Sequence, residues 1–139
     1  MSYKIVVVED DPHLLTGIAD IFEMCDYSVS TFISSKTFVE TFIEKGASTE
    51  ESGLLPDVFL LDIMMPHYTG YELANMLRGH DLYEDIPIVF CTAKGEKDDV
   101  ARGLQIAEGY VTKPFEAEEL VTTIEETIQE HQWRNEDES

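Results

Sequence analysis

Asp57-Val58-Phe59-Leu60-Leu61-Asp62-Ile63-Met64-Met65-Pro66 (DVFLLDIMMP) decides the architecture of this chain. The unbroken apolar run Val58–Leu61 has neither the alternation of a half-exposed strand nor the length of a helix, and it reads as a strand buried on both faces, as in a parallel sheet. The run ends in a carboxylate, Asp62, which is costly in a core unless it has a purpose. Two other runs end in the same manner. Ile5-Val6-Val7-Val8 leads into Glu9-Asp10-Asp11, and Gly109-Tyr110-Val111-Thr112 leads into Lys113-Pro114. In a parallel sheet these ends share one edge, so acids and a single lysine are expected to converge there.

Working outward, strand-like and helix-like segments alternate five times. The strands are predicted at Tyr3–Val8, Tyr27–Phe32, Asp57–Leu61, Ile86–Cys91 and Gly109–Thr112. The first helix is expected to carry Leu14, Leu15, Ile18, Ile21 and Phe22 on one face, with Asp11 as N-cap and Pro12 at the first helical position. A second is predicted over about Lys36–Lys45. A third opens at Thr69-Gly70-Tyr71-Glu72, a capping-box pattern. A fourth, about Lys97–Ala107, is expected to carry Val100, Ala101 and Leu104 on its apolar face. The last runs from Glu116 to about Glu130, burying Leu120, Val121, Ile124 and Ile128 while exposing Glu118, Glu119, Glu125 and Glu126. This alternation implies a doubly wound α/β sandwich, (βα)5, whose ligands bind at the carboxyl ends of the strands. One domain over residues 1–131 is expected, followed by a frayed, acidic tail, 132–139. Gly46–Leu55 reads as a polar loop.

The chain has 139 residues, 43% of them hydrophobic, enough for a true core. Nine Lys plus Arg stand against 29 Asp plus Glu, a net charge of −20. That balance excludes direct nucleic-acid binding and opposes anionic membranes, since both need clustered basic residues. It favours basic partners. The two cysteines, Cys25 and Cys91, each sit in an apolar context and are expected to be buried free thiols of a cytoplasmic protein. His13, His67, His80 and His131 have no zinc-site spacing.

Clustered carboxylates repel one another unless a cation joins them, and Mg²⁺ prefers one or two carboxylates with phosphate oxygens. Glu9, Asp10 and Asp62 at adjacent strand ends supply such ligands. Thr92, at the end of Ile88-Val89-Phe90-Cys91, adds a hydroxyl, and Lys113 adds an ammonium that can offset charge on a transferring phosphoryl group. This set suits phosphoryl transfer to a carboxylate. With VVVEDD (6–11), LLDIMMP (60–66), VFCTAK (89–94) and YVTKPF (110–115) in order, the chain resembles the receiver domain of two-component response regulators, over about Tyr3–Glu130. The resemblance implies a five-stranded parallel sheet of order 2-1-3-4-5. It also implies phosphorylation of Asp62 by a histidine kinase or phosphotransfer protein. Asp10 would be a direct Mg²⁺ ligand, Glu9 would act mainly through water, and the Met64 carbonyl would be a further ligand. Thr92 and Tyr110 would form a conformational switch pair, and Lys113 would be the assisting lysine.

The chain departs from the family at Ile106, where a small residue or glycine is usual, and in the length of the Gly46–Leu55 loop. A competing reading, a Mg²⁺-dependent phosphatase working through an aspartyl phosphate, lacks the D-x-D motif that such enzymes place after a strand. A receiver piece of a longer regulator is the other alternative. Output is expected on the fourth helix, last strand and last helix. There Asp98, Asp99, Glu108, Glu118, Glu119, Glu125 and Glu126 face Arg102 as the main cation, so a monomer or weak dimer is favoured over a tight symmetric one.

Overall fold

A computed structural model describes residues 2–45 and 55–138. The expected loop Gly46–Leu55 lies, apart from Leu55, outside the described residues. The elements run β1 (Lys4–Val8), α1 (Pro12–Met24), β2 (Ser28–Phe32), α2 (Ser35–Phe38, continuing as a π-helical stretch Val39–Glu44), β3 (Val58–Leu61), α3 (Gly70–Arg78), β4 (Ile88–Thr92), α4 (Lys97–Ile106), β5 (Gly109–Thr112) and α5 (Ala117–Glu138). All strand pairs are parallel, and the sheet order is β2-β1-β3-β4-β5. The doubly wound sandwich expected from the alternation is therefore the fold. No helix among the described residues is long and apolar enough to cross a membrane.

Burial follows the position of each strand in that order. Val58–Leu61 and Ile88–Thr92 are buried throughout, whereas the edge strand β2 is open along much of its length. Successive side chains leave a strand on opposite faces. Val6, Val8, Phe59, Leu61 and Phe90 accordingly pack with Phe38, Phe42, Leu73 and Leu77 of α2 and α3. Ile5, Val7, Leu60, Val89 and Val111 pack with Leu15, Ile18 and Phe22 of α1 and with Leu120, Ile124 and Ile128 of α5. The chain leaves β1 for β2 on one side and returns to place β3 on the other. That reversal opens a crevice at the carboxyl ends of β1 and β3. Val8 pairs with Leu61, so the next residues, Glu9 and Asp62, emerge side by side.

Local chemistry sets the helix starts. The Asp11 side chain accepts the His13 and Leu14 amides and Pro12 follows it, as expected of an N-cap. Thr69 and Glu72 form the reciprocal capping box that opens α3.

Four expectations need correction. Ala101 and Leu104 of α4 are exposed, Leu104 by 50%, and the buried position of that helix is Gly103. The Tyr110 ring lies so close that a Cβ at Gly103 would stand 2.3 Å from its Cε2, so the ring takes the place a side chain would fill. Cys25 is only half-buried, because it is the C-cap of α1 rather than part of its apolar face. Cys91 is buried, and burial pushes its thiol pKa up to about 12. Glu125 is half-buried, accepting a hydrogen bond from the Tyr27 hydroxyl. Finally, α5 continues to Glu138, through most of the segment read as a tail. Polar composition marks exposure there but does not end a helix that contains no glycine or proline. Trp133, on this continuation, is 65% exposed.

The end of the sheet away from the acids is fastened by one side chain. Arg78, the last residue of α3, donates through Nη1 to the carbonyls of Glu84 and Ile86, and through Nη2 to the carbonyl of Ile106 and to both carboxylate oxygens of Glu108, at 2.6 and 2.7 Å. Glu108 in turn accepts the Ile88 amide at 2.7 Å. One guanidinium thus joins α3, the start of β4 and the entry to β5, a planar fork that lysine cannot reproduce. Arg78→Ala is expected to destabilise the fold by about 1–2 kcal/mol, since it removes the donor shared by the part-buried Ile86 and Ile106 carbonyls. Denaturant titration measures this; a loss within ~0.5 kcal/mol, ordinary for a surface change, would show the clip to be incidental.

Candidate functional site

The acidic edge is assembled from the residues that directly follow three strands. Glu9, just after β1, is 2% exposed, and its amide donates to the Phe32 carbonyl at 3.0 Å. Asp62, just after β3, is 5% exposed, with its amide on the Val8 carbonyl at 3.0 Å. Lys113, just after β5, has its amide on the Thr92 carbonyl at 2.9 Å. Each is therefore held by the ladder of the sheet, and each side chain enters the same crevice.

There Lys113 Nζ lies 2.6 Å from Glu9 Oε1 and 3.2 Å from Asp62 Oδ2. The other oxygens of both carboxylates are engaged by backbone. Glu9 Oε2 accepts the Asp11 amide at 3.1 Å, and Asp62 Oδ1 accepts the Met64 amide at 3.3 Å. Burial raises the pKa of Glu9, opposed by its hydrogen bonds with Lys113 and the Asp11 amide. Burial also acts to lower that of Lys113, but the bond with Glu9 and the charge of Asp62 outweigh it, leaving the ammonium above its ordinary value.

Asp10 is exposed, and the structure gathers one oxygen each from Glu9, Asp10 and Asp62 within 4.8 Å of one another. A set of hard oxygen donors on two adjacent loops suits a small divalent cation such as Mg²⁺. Asp11, whose carboxylate is occupied in capping α1, stays out of the set. Met64 sits two residues past Asp62 with its side chain 58% exposed.

Thr92 ends β4 fully buried, and its Oγ1 accepts the Lys94 amide at 3.5 Å, a weak bond. Tyr110 in β5 is half-buried. Its ring meets Phe90 edge-on at 6.2 Å, and its hydroxyl donates to the Lys94 carbonyl at 2.5 Å. Thr92 and Tyr110 therefore meet at one residue, with Thr92 on the amide of Lys94 and Tyr110 on its carbonyl.

Two residues that shape this edge escaped the sequence reading of the site. Gly70 opens α3 so close to the end of β3 that a Cβ would stand 2.3 Å from the Asp62 carbonyl oxygen and 2.8 Å from Ile63 Cα. Both atoms are backbone, so only glycine fits. Within its own stretch Gly70 is simply the second residue of a capping box. Ser35 is buried and bonded to the loop after Asp62; nothing local to α2 signals a contact with residues about thirty positions later.

Comparison with known proteins agrees with this geometry. A family model described as the response regulator receiver domain matches residues 5–125. The phosphate regulon transcriptional regulatory protein PhoB of Pseudomonas aeruginosa is 34% identical over 125 residues, which is 89% of this chain and 51% of that protein. The nisin biosynthesis regulatory protein NisR of Lactococcus lactis is 33% identical over 129 residues, 92% of this chain and 51% of that protein. The chain thus spans about half the length of these curated relatives. Among solved structures, a putative response regulator from Chloroflexus aurantiacus superposes with a TM-score of 0.79 at 25% identity, covering 93% of this chain and 99% of that one.

Proposed function

The chain belongs to the response regulator receiver family, and from that premise we propose that a histidine kinase or phosphotransfer protein phosphorylates it on Asp62. Receiver domains are phosphorylation-activated signalling switches of two-component systems. The observation that carries the assignment is the position of Asp62. It ends the central strand, faces the Lys113 ammonium at 3.2 Å and shares its surroundings with the oxygens of Glu9 and Asp10. In the transfer an Asp62 oxygen attacks the phosphorus of the donor phosphohistidine. The O–P bond forms as the P–N bond breaks, and the imidazole leaves with the electron pair. Lys113 offsets charge on the transferring oxygens, while the Met64 amide orients the carboxylate. Glu9, Asp10, Asp62 and the Met64 carbonyl would hold Mg²⁺, which when bound neutralises the crowded anions. The chain assists its own phosphorylation and dephosphorylation and is not otherwise an enzyme.

The contacts at Lys94 support a route from phosphate to surface. A phosphoryl group on Asp62 offers the Thr92 hydroxyl stronger acceptor oxygens than any it now meets. Thr92 can turn to them by giving up only its weak bond from the Lys94 amide. The loop beyond β4 then shifts, and with it the carbonyl that anchors Tyr110. This biases the Tyr110 ring and α4 between two packings of one fold.

The output face formed by α4, β5 and α5 supports docking of a basic or apolar partner. Glu108, counted among its surface acids, is bound to Arg78. Arg102, its main positive residue, lies 4.2 Å over the Tyr71 ring of α3. The cation that a self-complementary contact would draw on is thus already engaged within the chain, whereas Asp98, Glu118, Glu119 and Glu126 remain exposed. A monomer or weak dimer follows. Free thiols and the absence of basic patches fit a cytoplasmic protein that binds neither nucleic acid nor membrane directly.

Incubation with acetyl phosphate and Mg²⁺ is expected to add one phosphoryl group, located on Asp62 by mass spectrometry, and Asp62→Asn to abolish it. Stable labelling of that variant to the parental level would refute the assignment. Thr92→Ala is expected to accept phosphate yet fail to shift the backbone resonances of α4 and β5 on phosphorylation; a parental pattern of shifts would break the proposed route. Sedimentation of the phosphorylated chain at moderate salt is expected to show a monomer or a weakly associating species, and a tight dimer would contradict the electrostatic reading.

A further inference from the structure

Ser35, the first residue of α2, is 1% exposed. A buried hydroxyl requires partners, and both partners of this one lie in another segment. Its Oγ donates to the Pro66 carbonyl at 2.7 Å and accepts the Tyr68 amide at 3.1 Å. The residue between them, His67, has a φ of 71°. The Tyr68 amide also reaches the Pro66 carbonyl, at 2.9 Å, which closes a three-residue turn centred on His67. A γ-turn of this hand is rare and strained in a residue that carries a Cβ. Left alone, His67 would relax toward negative φ and carry its neighbours with it. The Ser35 hydroxyl grips both peptide groups that would have to move. Its own backbone is fixed at a helix start, where the Ser34 side chain accepts the Lys36 and Thr37 amides at 3.2 and 3.5 Å.

The clasped turn is part of the loop that joins Asp62 to α3. Gly70 fixes the far end of that loop against the Asp62 backbone, and Met64 lies between. A cleft of about 150 Å³, lined by Asp10, Ile33, Ser34, Ser35, Pro66 and His67, separates the clasp from the exposed acid of the metal set. We infer that Ser35 is a positioning residue for the cation site: by holding the strained His67 turn, it sets where the Met64 carbonyl stands relative to Asp10 and Asp62. The inference rests on the Mg²⁺ reading of the acidic edge. Mg²⁺ demands near-octahedral geometry at short, closely defined distances, so a small relaxation of one ligand-bearing loop costs affinity even though every ligand remains.

Calorimetric titration of Mg²⁺ into the unphosphorylated chain tests this, with circular dichroism to verify folding. Ser35→Ala is expected to weaken Mg²⁺ binding about tenfold, as loss of a supporting contact does at other metal sites. Ser35→Cys, similar in size but a poor hydrogen-bonding group, is expected to fall between it and the parent, and it carries the test if the alanine variant does not fold. His67→Gly adopts the same φ without a Cβ penalty. The clasp then has nothing to restrain, so Ser35→Ala/His67→Gly is expected to bind Mg²⁺ as His67→Gly does. Parental affinity in both Ser35 variants, or an equal loss with glycine at position 67, would overturn the inference. Asp10→Asn separates the two levels of the reading. If it weakens binding while Ser35→Ala does not, only the clasp is wrong; if it leaves Mg²⁺ affinity unchanged, the cation site itself is wrong.

Discussion

Two carboxylates, Glu9 and Asp62, lie almost wholly out of water at the ends of neighbouring strands, and one ammonium, Lys113, lies against both. Burying an ionised group without a partner costs several kcal/mol. Three such groups persist together because the sheet has already brought them together. Every strand that delivers one is held by its neighbours, and the amides of Glu9, Asp62 and Lys113 each continue the ladder by one bond. The favourable energy of folding comes from the two apolar layers on either side of the sheet. Those layers carry the cost of an edge that, on stability grounds alone, would be better apolar. A charge cluster held under that constraint is sensitive to any further charge placed beside it.

The loops around this edge are fastened mostly through their backbones. Gly70 lets α3 begin against the Asp62 peptide, Ser35 grips the peptides on both sides of His67, and the Lys94 peptide is held by Thr92 on one side and Tyr110 on the other. Peptide groups have fixed geometry, so contacts made to them transmit small displacements that a flexible side chain would absorb. The bonds also differ in strength. The contact from the Lys94 amide to Thr92 is long, whereas that from Tyr110 to the Lys94 carbonyl is short. The weaker link is the one on the side of Thr92, at the end of β4.

Packing is uneven in the same sense. α3 buries Leu73, Ala74 and Leu77 and is clipped at its end by Arg78. α4 has Gly103 as its buried residue and leans on the Tyr110 ring, on the Arg102–Tyr71 contact and on an ion pair between Asp99 and Lys94 at 3.8 Å. A helix held by few apolar contacts opens at lower free energy than its neighbours. The element nearest Tyr110 is therefore among those least committed to one position.

The layers, and the meeting of the acids with the lysine, are legible in the order of the residues alone. The apolar runs of four residues that end in Glu9 and Asp62 read as buried strands, the shorter strand signal before Lys113 falls in step with them, and parallel strands bring their ends to one edge. The Asp11 and Thr69 caps were legible too, because capping is local, acting over two or three residues. Contacts between distant segments are not legible in that way. Leu104 has the spacing of a core residue yet faces water, and it is its neighbour Gly103 that packs inward, against the ring of Tyr110. Glu108 looks like a surface acid yet closes a clip with Arg78, and Ser35 looks like a helix-start serine yet holds a strained turn at His67. Periodicity reports which side of an element is apolar. It carries no information about which atom from another part of the chain arrives there, and that is set only when the layers pack.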